Sequence, residues 1–176
     1  MSRTPWLLSV AFVALVGPAR AADPLPPTAN LTPIFQQEHD RQVRAFNHKD
    51  LTGFLQHYTR DAHIELQPGK PMDLAGWRSF IAGILPDITG VVVHRHTVDH
   101  VDLRNGAPIA HIVEQEKYRI QDREGQFGKK GARHVLAADS TYEETWVHTP
   151  AGWRVQRMKI VSETMHIDGK TVSPPG

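Results

Sequence analysis

Eleven histidines stand in a chain of 176 residues. Four of them, His94, His96, His100 and His111, fall on two consecutive stretches of alternating polar and apolar sequence. Imidazole titrates near neutrality, so histidines gathered on one surface suit proton transfer or metal ligation. Asn105-Gly106 between the stretches is the signature of a two-residue hairpin turn. Counting back from it puts His100 opposite His111, His96 opposite Gln115 and His94 opposite Lys117. One sheet face then carries His94, His96, Val98, His100, His111 and Val113. The other carries Val91, Val93, Arg95, Val101, Ala110, Ile112, Glu114, Glu116 and Tyr118. Three uses of the histidine face stay open. It lines a pocket, with His96 and His111 moving protons. It holds a metal through His94 and His96 with a third imidazole from His100 or His111. Or it is an outer face, solvated or packed on a second subunit, since the opposite face is richer in aliphatic residues.

Glu144 also has two readings. It pairs with Arg157 across a later hairpin, or it enters the pocket beside Tyr142 and Trp146, where burial would raise its pKa. Arg95 opposite Glu116 reads as a cross-strand ion pair. Candidate ligand-lining side chains are Tyr58, Leu66, Trp77, Tyr142 and Trp146. With no cysteine, disulfides, thiol nucleophiles and Cys-based metal sites are excluded. Lys plus Arg is 20 against Asp plus Glu 19, a balance unlike that of a nucleic-acid binder. No Gly-x-Ser-x-Gly motif marks a nucleophilic hydrolase, and no organic cofactor is expected.

The elements that must position these groups are readable in outline. Thr32-Pro33 reads as a cap followed by a first-turn proline, and Phe35, His39, Val43 and Phe46 predict a helix to about Asn47. Asp50 caps a short second helix with Leu51, Phe54, Leu55 and Tyr58 as its stripe. Residues 62–67 alternate as a short strand. Asp73 caps a third helix, stapled by Met72 and Trp77 and ended by Pro86. After residue 88 the period falls from 3.6 to 2. Strands are expected over 91–103, 107–121, 135–148 and 153–166, with a flexible Gly/Lys loop over 122–133 and a turn at 149–152. Helices followed by a long-stranded sheet predict an α+β fold, the three helices lying in the concave face of a curved, mainly antiparallel sheet. Such a cone encloses a small-ligand cavity.

The first 21 residues read as a secretory signal peptide: Arg3, an apolar run from Trp6 to Val16, then Ala19-Arg20-Ala21 as a cleavage site. An N-terminal anchor is the alternative. Cleavage after Ala21 would remove Arg3 and Arg20 and no acid, leaving 18 basic against 19 acidic residues. A Pro-rich leader (22–31), a single domain (32–167) and a tail (168–176) would come after it. The expected product is secreted or periplasmic, without a membrane span.

Two stretches carry a family resemblance. They are Lys49-Asp50-Leu51-Thr52-Gly53-Phe54-Leu55-Gln56-His57-Tyr58-Thr59-Arg60-Asp61-Ala62-His63-Ile64-Glu65-Leu66, and Glu144-Thr145-Trp146 through Gly152-Trp153-Arg154-Val155. In these and in element order the chain resembles the nuclear-transport-factor-2-like superfamily, which includes ketosteroid isomerases, scytalone dehydratases and SnoaL-like cyclases, over about residues 33–166. Set against ketosteroid isomerases, the resemblance puts Leu66 at the base position and Gln42 at the tyrosine position, and only Glu144 keeps the late-strand acid. Set against scytalone dehydratases, it puts Asn47 at the aspartate position and His96 and His111 at the two histidines. What it implies is a small-molecule-binding protein, a homodimer. As an enzyme it would be a cofactor-free lyase or isomerase acting by His/Glu proton transfer on a small apolar, polyketide-like or steroid-like substrate. The alternatives are a non-catalytic ligand-binding or accessory domain, and a His-based metal binder.

Overall fold

The computed structural model describes residues 31–67 and 69–172. The expected signal peptide, the leader apart from Leu31, and the last four residues lie outside the described residues. The fold is α+β as expected, three helices against one curved, unclosed sheet.

Helix α1 (Leu31–Asn47) buries Phe35, His39, Gln42 and Phe46, a stripe at helical spacing. It starts one residue before Thr32, which therefore stands in the first turn rather than capping it. Helix α2 (Leu51–Leu55) is capped by Asp50, whose side chain accepts from Gly53 N at 2.9 Å. Helix α3 (Leu74–Ile84) is capped the same way, Gly76 N donating to Asp73 at 2.8 Å. It buries Trp77 and Ile81 and stops ahead of Pro86.

The strands are β1 (Tyr58–Glu65), β2 (Met72–Asp73), β3 (Ile88–Arg104), β4 (Ala107–Gln121), β5 (Arg133–Thr149), β6 (Gly152–Ile167) and β7 (Lys170–Val172). Their order is β2-β1-β6-β5-β4-β3, with β7 also on β6, in the stretch read as a tail. Every pairing is antiparallel except that of β1 with β6. Asn105 and Gly106 both have positive φ (53° and 79°), as a type I′ turn requires. The loop after β4 is tied down: Asp122 accepts from Gly125 N, Gln126 N and Phe127 N at 2.7–2.8 Å. None of the described helices is long and apolar enough to cross a membrane.

Bulges shape the site. On β3 the register against β4 slips at Thr89, Val92 and Asp99. On β6 it slips against β5 at Gln156 and Val161. Each extra residue bends its strand and inverts the facing of the residues beyond it. The core runs continuously under the resulting curve, through Phe35, Ile64, Ile112, Trp146 and Val155. Phe35 stacks on Trp146 with ring centroids 4.2 Å apart.

Candidate functional site

The bulge at Asp99 divides the predicted histidine face. His100 pairs with His111 and Val101 with Ala110, as counted from the turn, but beyond Asp99 the register is one residue off: His96 stands opposite Glu114 and His94 opposite Glu116. His94, His96 and Val98 therefore turn inward with Ile112 and Glu114, while His100 and His111 stay on the outer face, rings stacked 4.0 Å apart. His96 and His111 thus sit on opposite faces and cannot act on one substrate. Nor can His100 join His94 and His96 on a metal. Arg95 consequently faces Gln115, to which its guanidinium donates, in place of Glu116.

A second slip, at Gln156, decides Glu144. Arg157 pairs with Thr145, and Glu144 comes opposite Met158, pointing into the cone at 1 % exposure. There it meets two histidines the strand pattern did not mark. His39, on the buried stripe of α1, brings Nε2 to 3.0 Å from Glu144 Oε2. His57, between α2 and β1, brings Nε2 to 3.7 Å from Oε1. His39 had a weak signal, a histidine in register with Phe35 and Phe46; His57 had none beyond lying in the stretch that carries the resemblance. Both ring nitrogens and both carboxylate oxygens are sealed from solvent yet lack a well-aligned hydrogen-bond partner.

The other nitrogen of His39 continues the line. His39 Nδ1 lies 3.0 Å from His96 Nδ1, and His96 Nε2 lies 2.8 Å from Glu114 Oε1. Tyr142 Oη is 3.2 Å from the same His96 Nδ1. His94 Nε2 stands 3.5 Å from Glu114 Oε1, and its Nδ1 is 2.9 Å from Asn47 Oδ1, so Asn47 orients His94. Helix α1 is held over β3 by Gln36, whose side chain donates to His96 O at 3.0 Å and accepts from Val98 N at 2.9 Å. That two-point clamp fixes His39, a helical turn along, against His96.

Proton counting constrains the line Glu144–His39–His96–Glu114. Each carboxylate end needs an N–H facing it, and the central nitrogen pair needs one proton between them. Three protons on four ring nitrogens is one more than two neutral imidazoles carry. The carboxylates are correspondingly acidic. Burial alone would raise the pKa of Glu144, but His39 and His57 outweigh it and hold the group at about 2, contrary to the rise expected from burial. Burial would likewise raise Glu114, and His96 with His94 reverses it, leaving the carboxyl far below its ordinary range. His57 moves down to about 4, its own burial outweighing the pull of Glu144, and is neutral at pH 7.

The remaining candidates surround this line. Tyr58 Oη accepts from Gln42 Nε2 at 3.0 Å and donates to Met158 Sδ at 3.7 Å. Trp146 packs edge-on against His57 and His39, with centroids 4.9 and 5.7 Å away. Trp77 is buried, its ring edge-on to Tyr58 at 6.4 Å. Leu66, just past the end of β1, is half-buried against the core.

A family model described as SnoaL-like domain matches residues 36–159, the span that holds every member of the line. No curated protein matches the sequence. Solved structures similar in fold include a candidate scytalone dehydratase from Novosphingobium aromaticivorans (13 % identity, 74 % of this chain and 83 % of that one, TM-score 0.57). Another is a candidate SnoaL-like polyketide cyclase from Shewanella denitrificans (17 %, 76 % and 91 %, 0.52). A ketosteroid isomerase-like protein from Erwinia carotovora atroseptica is a third (13 %, 81 % and 97 %, 0.52). At these identities the likeness is one of fold.

Proposed function

This chain belongs to the SnoaL-like domain family, and on that premise we propose that it binds a small, largely apolar molecule in the cone and acts on it as a lyase or isomerase by proton transfer. One observation carries the reading: the unbroken line of titratable groups Glu144–His39–His96–Glu114 through the buried interior. Imidazoles in series pass a proton without either carboxylate leaving the apolar surround. His57, neutral and aimed at Glu144, is the base, and Tyr142 beside His96 is the donor to a developing oxyanion. The substrate class is inferred from what surrounds the line, aromatic rings of Tyr58, Tyr142 and Trp146. Polyketide-like and steroid-like carbonyl compounds have the size and the acidic C–H bond that such groups could serve.

The test is deuterium uptake. The protein is incubated in D2O with a panel of enolisable cyclic ketones, a steroid enone and a β-hydroxy ketone, and exchange or water loss is tracked by mass spectrometry. At least one member is expected to react, and His57→Gln and Glu144→Gln to slow it about a hundredfold or more. No uptake by any member would overturn the catalytic reading and leave a ligand-binding or accessory domain.

Export after cleavage at Ala21 and pairing of two copies through the outer sheet face belong to the same proposal. The first is supported by the charged, apolar and small-residue order of residues 1–21. The second is supported by Val93, Val113 and Val161, exposed on the sheet at 42, 39 and 62 %.

A further inference from the structure

We propose that His39 Nε2, His57 Nε2 and the Glu144 carboxylate bind one divalent transition-metal ion of the zinc type. The three donors come from α1, the α2–β1 junction and β5, and their ligating atoms lie within 4.8 Å of one another. All three residues are buried, His39 and Glu144 completely, and the facing atoms of all three lack an aligned partner. Buried polar atoms in native proteins are overwhelmingly bonded. Here His39 Nε2 meets Glu144 Oε2 at 3.0 Å without hydrogen-bond alignment while His57 Nε2 stands 3.7 Å from Oε1, an arrangement an ion among the donors would satisfy. Two imidazoles and a carboxylate suit zinc, cobalt or ferrous iron and leave a coordination position open; calcium and magnesium favour oxygen donors.

The outer partners fit as well. With the cation on His39 Nε2, Nδ1–H donates to His96 Nδ1, and His96 Nε2–H donates to Glu114. Both rings are then neutral and every proton is placed, the cation standing where the surplus proton stood. Ligand histidines are commonly backed by a carboxylate in this way, here through a second imidazole. Two other groups of histidine and carboxylate compete less well. In His94–His96–Glu114 the facing atoms already bond one another, and Asn47 holds the far nitrogen of His94. His100–Asp102–His111 lies exposed on the outer face.

The inference rests on reading these residues as the working centre and gives them a different part once the ion is bound. A ring nitrogen that holds the metal has no lone pair for a proton, so His57 is the base only in the metal-free protein, and the test requires no turnover. The full chain, stripped with a chelator and dialysed against Zn2+, is expected to retain one equivalent with micromolar or tighter affinity, and Co2+ to give a visible absorption band. His57→Gln and Glu144→Gln should each weaken zinc binding by about 30-fold or more, His94→Gln by no more than about threefold. Circular dichroism checks that the variants fold. Wild-type crystals grown with zinc and measured across its absorption edge give the position independently of any variant. A peak between His39, His57 and Glu144 upholds the site. Absence of bound zinc, a peak elsewhere, or loss of binding in His94→Gln alone would overturn it. Zinc binding without deuterium uptake upholds the site and removes the proton-transfer reading; uptake by a protein that binds no zinc does the reverse.

Discussion

Glu116 stands half-buried on the inner face of β4, between Glu114 and Tyr118 and opposite His94. Burial, the charge of Glu114 and that of Glu163 on β6 push its carboxyl up to about 8, against a smaller opposing hydrogen bond from Tyr118. In the unfolded chain the same group titrates near 4.5. Between those values the folded state holds the extra proton, so this residue makes stability fall as pH rises from about 4.5 to about 8. Glu116→Gln should therefore leave urea unfolding unchanged at pH 4 and add roughly 2 kcal/mol at pH 8.5, less than the whole shift because the side chain is not sealed from water. An equal effect at both pH values would refute it. Residue chemistry was the least legible level in the sequence. Glu144 was visible as an acid, but not which way its pKa would move, because the deciding charges come from His39 and His57, distant in the chain. Composition names such groups and only the fold introduces them.

Element boundaries were far easier to read. Asp50, Asp73, Pro86 and Asn105-Gly106 act locally and stand where their chemistry put them. The bulge at Asp99 leaves no comparable mark, since an extra residue in a strand looks like a strand, and that single residue parts the inward His94 and His96 from the outward His100 and His111. The facing makes a contrast between two deletions. Removing Asp99 restores plain alternation with Val98 inward, His100 outward and Val101 inward, so only the bend is lost and the fold should survive. Removing Thr97 instead turns Val98 outward and Asp99 inward. That variant should lose roughly 3 kcal/mol or more in chemical unfolding, from one exposed core residue and one buried acid. Comparable stabilities for the two would mean that Asp99 is not what sets the facing.

At the scale of the molecule, the change from period 3.6 to period 2 was enough to foresee helices against a curved sheet. It could not foresee the parallel partnership of β1 with β6, which no turn announces. The exposed valines of the outer face and the charge order of the first residues lead to one measurement. Native mass spectrometry of exported material should give twice the mass of a chain beginning at Ala22, and Val113→Lys should halve it. A wild-type monomer retaining Met1 would refute both pairing and cleavage. The β1–β6 ladder also orders events in time. Glu65 pairs with Lys159, so a strand made early waits on one made about a hundred residues later. His57, at the threshold of β1, settles against Glu144 only once β5 and β6 have been made. A truncated product ending before β6 would carry His39, His57 and Glu144 yet lack the strand that seats β1 in the sheet, so the centre is expected to assemble only after β6 has joined.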